Sequence, residues 1–192
     1  MASIRRRAAI TTSALPSSSE PRICAAAAAR YPASVMKTTT ASGVKTKSDT
    51  AVVKAINLLL ADSYALMANT HYAHWNVEGP GFFALHKAFE HQYEDLFKAI
   101  DEIAERVRAL DAYALGGLRN FATESGIEEF NTPIAAKDYV AGLVVAHEKT
   151  IADAVALRDA AGAVNDLETQ DLAIGRIQWH QKTTWMLKSY LK

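Results

Sequence analysis

The sequence predicts an all-α chain, in which four long helices form two tight hairpins joined by one long crossover that carries a short helical turn. Three observations carry this expectation. Apolar residues recur at three- and four-residue spacings through four long stretches. Brief Gly-, Pro- or Asn-containing turns separate the first stretch from the second and the third from the fourth. A longer gap, Asp111 to Thr132, with Gly116, Gly117 and Gly126, divides the two pairs.

The first helix is expected to begin near Ser48 or Asp49, both suitable caps, with Val52, Ile56, Leu59, Leu66 and Met67 on its apolar face up to the turn Glu78-Gly79-Pro80-Gly81. The second runs from about Phe82 to Leu110, because no proline occurs between Pro80 and Pro133 and the stripe Phe89, Leu96, Ile100, Ile103, Val107 and Leu110 keeps the helical period. The crossover then holds one short helical turn, expected around Ile127 to Phe130. The third long helix starts at Thr132-Pro133, a cap followed by a proline suited to the first turn, and carries Val140, Leu143, Val144, His147, Ile151 and Ala154 inward until Gly162. The fourth extends from Asn165 or Asp166 to Leu191, with Leu167, Ile174, Ile177, Thr184, Leu187 and Leu191 on one face. Two hairpins with one long connection is the ferritin-like variant of the four-helix bundle. Residues 48–192 are therefore read as a single ferritin-like four-helix bundle domain.

Residues 1–47 are rich in Ala, Ser, Thr and Arg, hold three of the five prolines and show no sustained apolar period, so they are expected to be a disordered arm. For the first 35, an acid-poor targeting peptide and a mis-assigned start with Met36 as the true first residue both remain open, with the second preferred. Arg5-Arg6-Arg7 is a poor twin-arginine signal, since Thr11, Thr12, Ser13 and Pro16 interrupt the stretch after it. Cytoplasm, with nucleoid association, is the preferred compartment; an organelle is the alternative if the first 35 residues are a transit peptide. No run of 18 apolar residues occurs, so no membrane span is expected.

The 192 residues carry equal numbers of acidic and basic side chains, but unevenly. Residues 1–54 have a net charge of +7 and the remainder −7. A basic arm on an acidic body either meets an anionic partner such as DNA or is simply a solvated tail. Lys37, Lys45, Lys47 and Arg30 are the candidate phosphate contacts, and nothing in the sequence resembles a base-reading element.

The lone Cys24 excludes an intrachain disulfide framework and a cysteine-based zinc site, so a bound metal must be held by His, Asp or Glu. His86 and Glu90, and again Asp101 and Glu105, are i, i+4 pairs on the second helix. At ~1.5 Å rise per residue, His86 and Asp101 stand roughly 22 Å apart along the axis. No single ion spans that distance. A two-fold axis crossing the helix midpoint would bring one chain's His86 and Glu90 opposite Asp101 and Glu105 of the partner subunit. No Glu-x-x-His occurs anywhere, which argues against a di-iron centre inside one bundle. His74 lies across the hairpin turn from His86, where the two imidazoles can meet.

These residues carry a resemblance. His74-Trp75-Asn76-Val77, then Gly79, Phe82 and His86, and Asp-Glu-Ile-Ala-Glu-Arg over 101–106 resemble the Dps family, the mini-ferritins, and the similarity extends through His180, Lys182 and Trp185-Met186-Leu187. The resemblance implies a homo-oligomeric shell of twelve subunits with ferroxidase sites at its two-fold interfaces. His74, His86 and Glu90 would come from one chain and Asp101 and Glu105 from its neighbour. Iron is the implied metal: Fe(II) is oxidised, preferentially by hydrogen peroxide, and stored as ferric mineral, which protects DNA. The family usually has Asp where this chain has Glu90. Trp75 is either an electron donor or a packing residue at the subunit interface. Asp153, Asp159 and Asp166 are either pore-lining residues or solvated face charges. His147 is expected in the core, His71 buried or behind the site, and His91 structural or exposed.

Overall fold

The computed structural model describes residues 49–192; the arm, its boundary with the bundle and the candidate cap Ser48 lie outside the described residues. Five helices succeed one another in chain order: α1 (Asp49–Asn76), α2 (Phe82–Ala109), the short α3 (Leu118–Glu124), α4 (Ala136–Gly162) and α5 (Leu167–Tyr190). There is no strand among the described residues.

Helix direction is set by which side chains meet. His74 on α1 faces His86 on α2, and His71 faces Tyr93. Between α1 and α4, Asp62 meets Lys149 while Tyr72 meets Tyr139. Between α2 and α5, Asp95 meets Arg176 while Arg106 meets Asp166. His147 with His180, and Arg158 with Gln170, join α4 to α5. In each pair one number rises as the other falls, so all four adjacent pairs are antiparallel, and α2 and α4 therefore run parallel. A parallel connection must carry the chain back along the bundle. The 28-residue α2 is roughly 42 Å long, which is why a long crossover separates it from α4.

The interior reflects the apolar period. Val52, Leu59, Leu66 and Ala73 repeat every seven residues along α1, and all are buried. On α2 the buried stripe is Leu85, Phe89, Gln92, Leu96, Ala99, Ile103 and Val107. One apolar cluster, around Leu66, Phe89, Leu96, Tyr139 and Leu143, fills the end nearer the α1–α2 turn. The other is built on Ile56, Leu59, Ile103, Leu157 and Ile177. Where they meet the interior turns polar, with Asp62, Asp153, His147 and His180 all buried. By length and composition α1 could cross a membrane, but half of its most apolar stretch is buried inside the bundle.

The structure corrects four expectations. The short crossover helix lies at Leu118–Glu124, not at 127–130, because Gly117 takes a positive φ of 93° ahead of it and Phe121 stacks on Tyr64 of α1 at 4.3 Å. Residues 127–130 cannot coil, since α1 side chains take their backbone groups: Asn69 Nδ2 donates to the Glu128 carbonyl at 2.7 Å and the Phe130 N–H donates to Asn69 Oδ1 at 3.0 Å. α4 starts at Ala136 rather than at Thr132-Pro133, the preceding Ala135 being extended (φ −66°, ψ 151°) and the Ile134 N–H donating to the Tyr139 hydroxyl of α4 itself at 3.3 Å. Leu167 and Ile174 are not in the core. They are 62% and 38% exposed, and α5 instead buries Thr169, Ala173, Ile177, His180, Thr183, Thr184 and Leu187.

Asp153 is the fourth correction. It is not a solvated face charge: it is buried in the single chain and hydrogen-bonded by Lys149, whose ammonium also reaches Asp62. Burial first, and the neighbouring Asp62 carboxylate second, push Asp153 up to about 7. Asp166 caps α5, accepting from the Thr169 N–H at 3.1 Å and from Arg106 of α2 at 2.7 Å. Asp159 is an exposed partner of Arg158.

Candidate metal centre

The turn that aligns the two histidines rests on two glycines. Gly79 (φ 87°) and Gly81 (φ 83°) occupy the left-handed region, where a side chain would be strained, and let the chain reverse between α1 and α2. His74, in the last turn of α1, then lies beside His86, in the second turn of α2. Their rings stack at 3.7 Å with 19° between the planes.

Each ring is fixed by the other's backbone. His74 Nδ1–H donates to the His86 carbonyl at 2.9 Å, and His86 Nδ1–H donates to the His74 carbonyl at 2.9 Å. A carbonyl only accepts, so the proton of each neutral ring is on Nδ1. Nε2 is then the lone-pair nitrogen in both. A metal-binding imidazole is commonly prepared this way, with the second nitrogen held by a backbone carbonyl.

Aromatic side chains enclose the pair. Phe82 stacks over His86 at 5.1 Å, and the Tyr93 ring meets His74 edge-on at 5.2 Å. His71 lies against Tyr93 at 4.3 Å and against Trp75 at 4.0 Å; it is half-buried, and burial together with His74 lowers its basicity. Trp75 is 64% exposed, and its indole faces away from the bundle interior. His91 is exposed.

Glu90 stands one helical turn beyond His86, hydrogen-bonded to the Lys87 ammonium. That bond, with a smaller contribution from the nearby His74 and His86 rings, holds its carboxyl below the usual carboxylate range. Asp101 and Glu105 are exposed further along α2. Among the described residues, no three His, Cys, Asp or Glu side chains of one chain converge on a common point. One chain thus assembles the two imidazoles, with Glu90 turned onto Lys87, and leaves Asp101 roughly 22 Å and Glu105 roughly 28 Å from His86 along the helix axis.

The remaining buried histidines form a separate network. Arg176 Nη2–H donates to His180 Nε2 at 3.4 Å, so the His180 proton is on Nδ1 and donates to His147 Nδ1 at 2.8 Å; His147 Nε2–H then donates to Gln92 Oε1 at 3.4 Å. Burial, aided by the Arg176 charge, pushes His147 down to about 3, and both rings stay neutral. The expectation of a core histidine is met. The guanidinium beside the pair, itself bound to Asp95 at 3.1 Å, makes this a poor place for a cation.

An up-down-down-up bundle with a histidine pair at the first hairpin defines a ferritin-like protein, and a family model of the ferritin-like domain matches residues 53–192. Within that class the chain belongs to the Dps family. DNA protection during starvation protein 2 of Bacillus anthracis is 31% identical over 140 residues, covering 73% of this chain and 96% of its own. An uncharacterised low temperature-induced protein of a Nostoc species is 37% identical over 143 residues, covering 73% of this chain and 80% of its own. The crystal structure of Dps from Vibrio cholerae O1, described as a member of the ferritin-like diiron-carboxylate proteins, superposes with a TM-score of 0.74 at 32% identity, covering 78% of this chain and 94% of that one.

Proposed function

We propose that the chain is an iron-sequestering ferroxidase whose substrate, Fe(II), binds at a two-fold interface of a homo-oligomeric shell, read by family as a dodecamer. His74, His86 and Glu90 come from one subunit, and Asp101 and Glu105 of the partner subunit complete the set. The observation that carries this reading is the crossed histidine pair, which presents two Nε2 lone pairs while Asp101 and Glu105 of the same chain lie out of reach further along α2. Imidazole and carboxylate without thiolate suit Fe(II). Two Fe(II) ions each give one electron to one hydrogen peroxide, and hydrolysis of the ferric product releases protons as mineral forms. Iron and peroxide are thereby kept from generating hydroxyl radical near DNA. Trp75, exposed on the single chain and next to His74, is assigned to packing in that interface rather than to electron donation.

The test is Fe(II) added anaerobically to the protein, then exposed to peroxide or to air. Oxidation should be faster with peroxide, and a spin trap should report less hydroxyl radical than in buffer. Rates no faster than buffer would refute the ferroxidase reading.

The charge division supports a second role beside the first. The +7 of residues 1–54, repeated on every subunit of one particle, would hold DNA phosphates through many salt-sensitive contacts. Full-length protein should retard plasmid in a gel at low salt, and a chain starting at Ser48 should not. Retention by the shorter chain would remove the arm from the argument.

A further inference from the structure

The Glu90 carboxylate is already engaged. Lys87, three residues back on α2, places its ammonium on Oε2. An aspartate at this position, one methylene shorter, is less able to fold back over that turn, so the glutamate and the lysine act as a unit. Lys87 is 68% exposed and Glu90 27%, which places the ammonium on the open side of the carboxylate. Glu94, a turn beyond Glu90, also attracts the ammonium and offers it a second partner.

We propose that Lys87 is a resident counter-cation which Fe(II) must displace from Glu90, and that this exchange sets the iron concentration at which the centre fills. The inference rests on the reading of His74, His86 and Glu90 as ligands. The lysine neutralises Glu90 beside the two imidazoles while no metal is bound, so the half-site is kept formed without an unpaired carboxylate. A monovalent cation gains little by replacing an ammonium of the same charge. A divalent ion gains the carboxylate and both imidazoles at once. An exposed ion pair is worth little, so its loss should change affinity by no more than about five-fold.

The test is anaerobic calorimetric titration of the full-length protein with Fe(II). Lys87→Met should bind Fe(II) about three-fold more tightly than wild type at low salt. Lys87→Arg, which keeps the charge, should bind like wild type. The advantage of Lys87→Met should shrink towards none at about 0.5 M salt, where the lysine–glutamate attraction is already screened. Equal affinity of Lys87→Met and wild type at low salt overturns the proposal, as does weaker binding, which would make Lys87 a positioning residue for Glu90. His86→Ala, run alongside, separates the two failures. If it binds as wild type does, the ligand assignment itself is wrong and the inference falls with it; if it loses Fe(II) while Lys87→Met is unchanged, only the displacement is wrong.

Discussion

Co-assembly of two inactive variants should restore iron oxidation. His86→Ala removes one of the two imidazoles held at the α1–α2 turn and should slow peroxide-driven Fe(II) oxidation by at least about 10²-fold, since losing even an outer partner of a metal ligand costs 10–100-fold. The double change Asp101→Asn with Glu105→Gln should do the same from the other end of α2. If each site takes its histidines from one subunit and its acids from the next, a mixed dimer contains one site with both halves damaged and one with both intact. Random reassembly from equal amounts should therefore recover about a quarter of the wild-type sites. A centre confined to one chain predicts no recovery at any ratio. Fe(II) oxidation measured after denaturing and refolding the mixture, against each variant refolded alone, decides between them.

The length constraint behind that experiment is legible in the residue numbers alone. Fifteen helical residues separate His86 from Asp101, and no fold of a straight helix brings them together. The hairpin is equally legible, because glycine at 79 and 81 beside a proline leaves the chain little choice but to turn. The geometry of the imidazoles is not. Nothing in the spacing of His74 and His86 indicates that each donates to the other's carbonyl, which depends on the axial offset of two packed helices. Lys87 likewise gives no signal in the sequence, because a lysine three residues before a glutamate usually marks only a solvated helix face.

The crossover is hidden from the sequence for a related reason. Helical period reports residues that face a core at regular intervals, whereas the segment from Ser125 to Phe130 is held by side chains some sixty positions earlier. One clue is present: Asp62 and Asn69 are polar residues seven apart among the apolar positions of α1, and both are buried. Polar groups spaced this way inside an apolar helix need partners, and the nearby crossover backbone supplies them. Leu167 and Ile174 mislead in the opposite sense, since they keep the helical spacing of a core stripe yet face outward on the single chain.

Asp62→Ala should be the most damaging single change to stability. The carboxylate has no exposed surface; it accepts from Ser125 Oγ and the Gly126 N–H, each at 2.7 Å, and from Lys149 Nζ at 2.6 Å. Removing it strands two crossover donors and leaves Lys149 with Asp153 alone. Breaking a buried ion pair by deleting one partner costs about 3–5 kcal/mol, and the low end applies because Lys149 is 36% exposed. The loss should appear as a lower urea midpoint at fixed subunit concentration, with faster hydrogen exchange at the Gly126 amide. Lys149→Met should also destabilise, by leaving two carboxylates facing each other. The double variant should lose less than the two single losses combined, because the groups act as one unit. The pH dependence carries its own sign. Asp153 rises from 3.8 when unfolded to about 7 when folded, so its contribution to stability is fully present below about 4 and is lost as pH rises through 7. Asp62→Ala removes the carboxylate that helps raise Asp153, and should flatten that slope. A midpoint unchanged within error, or a slope equal to wild type, would show that the crossover is held by Asn69 and the Tyr64–Phe121 stack without help from the buried acids.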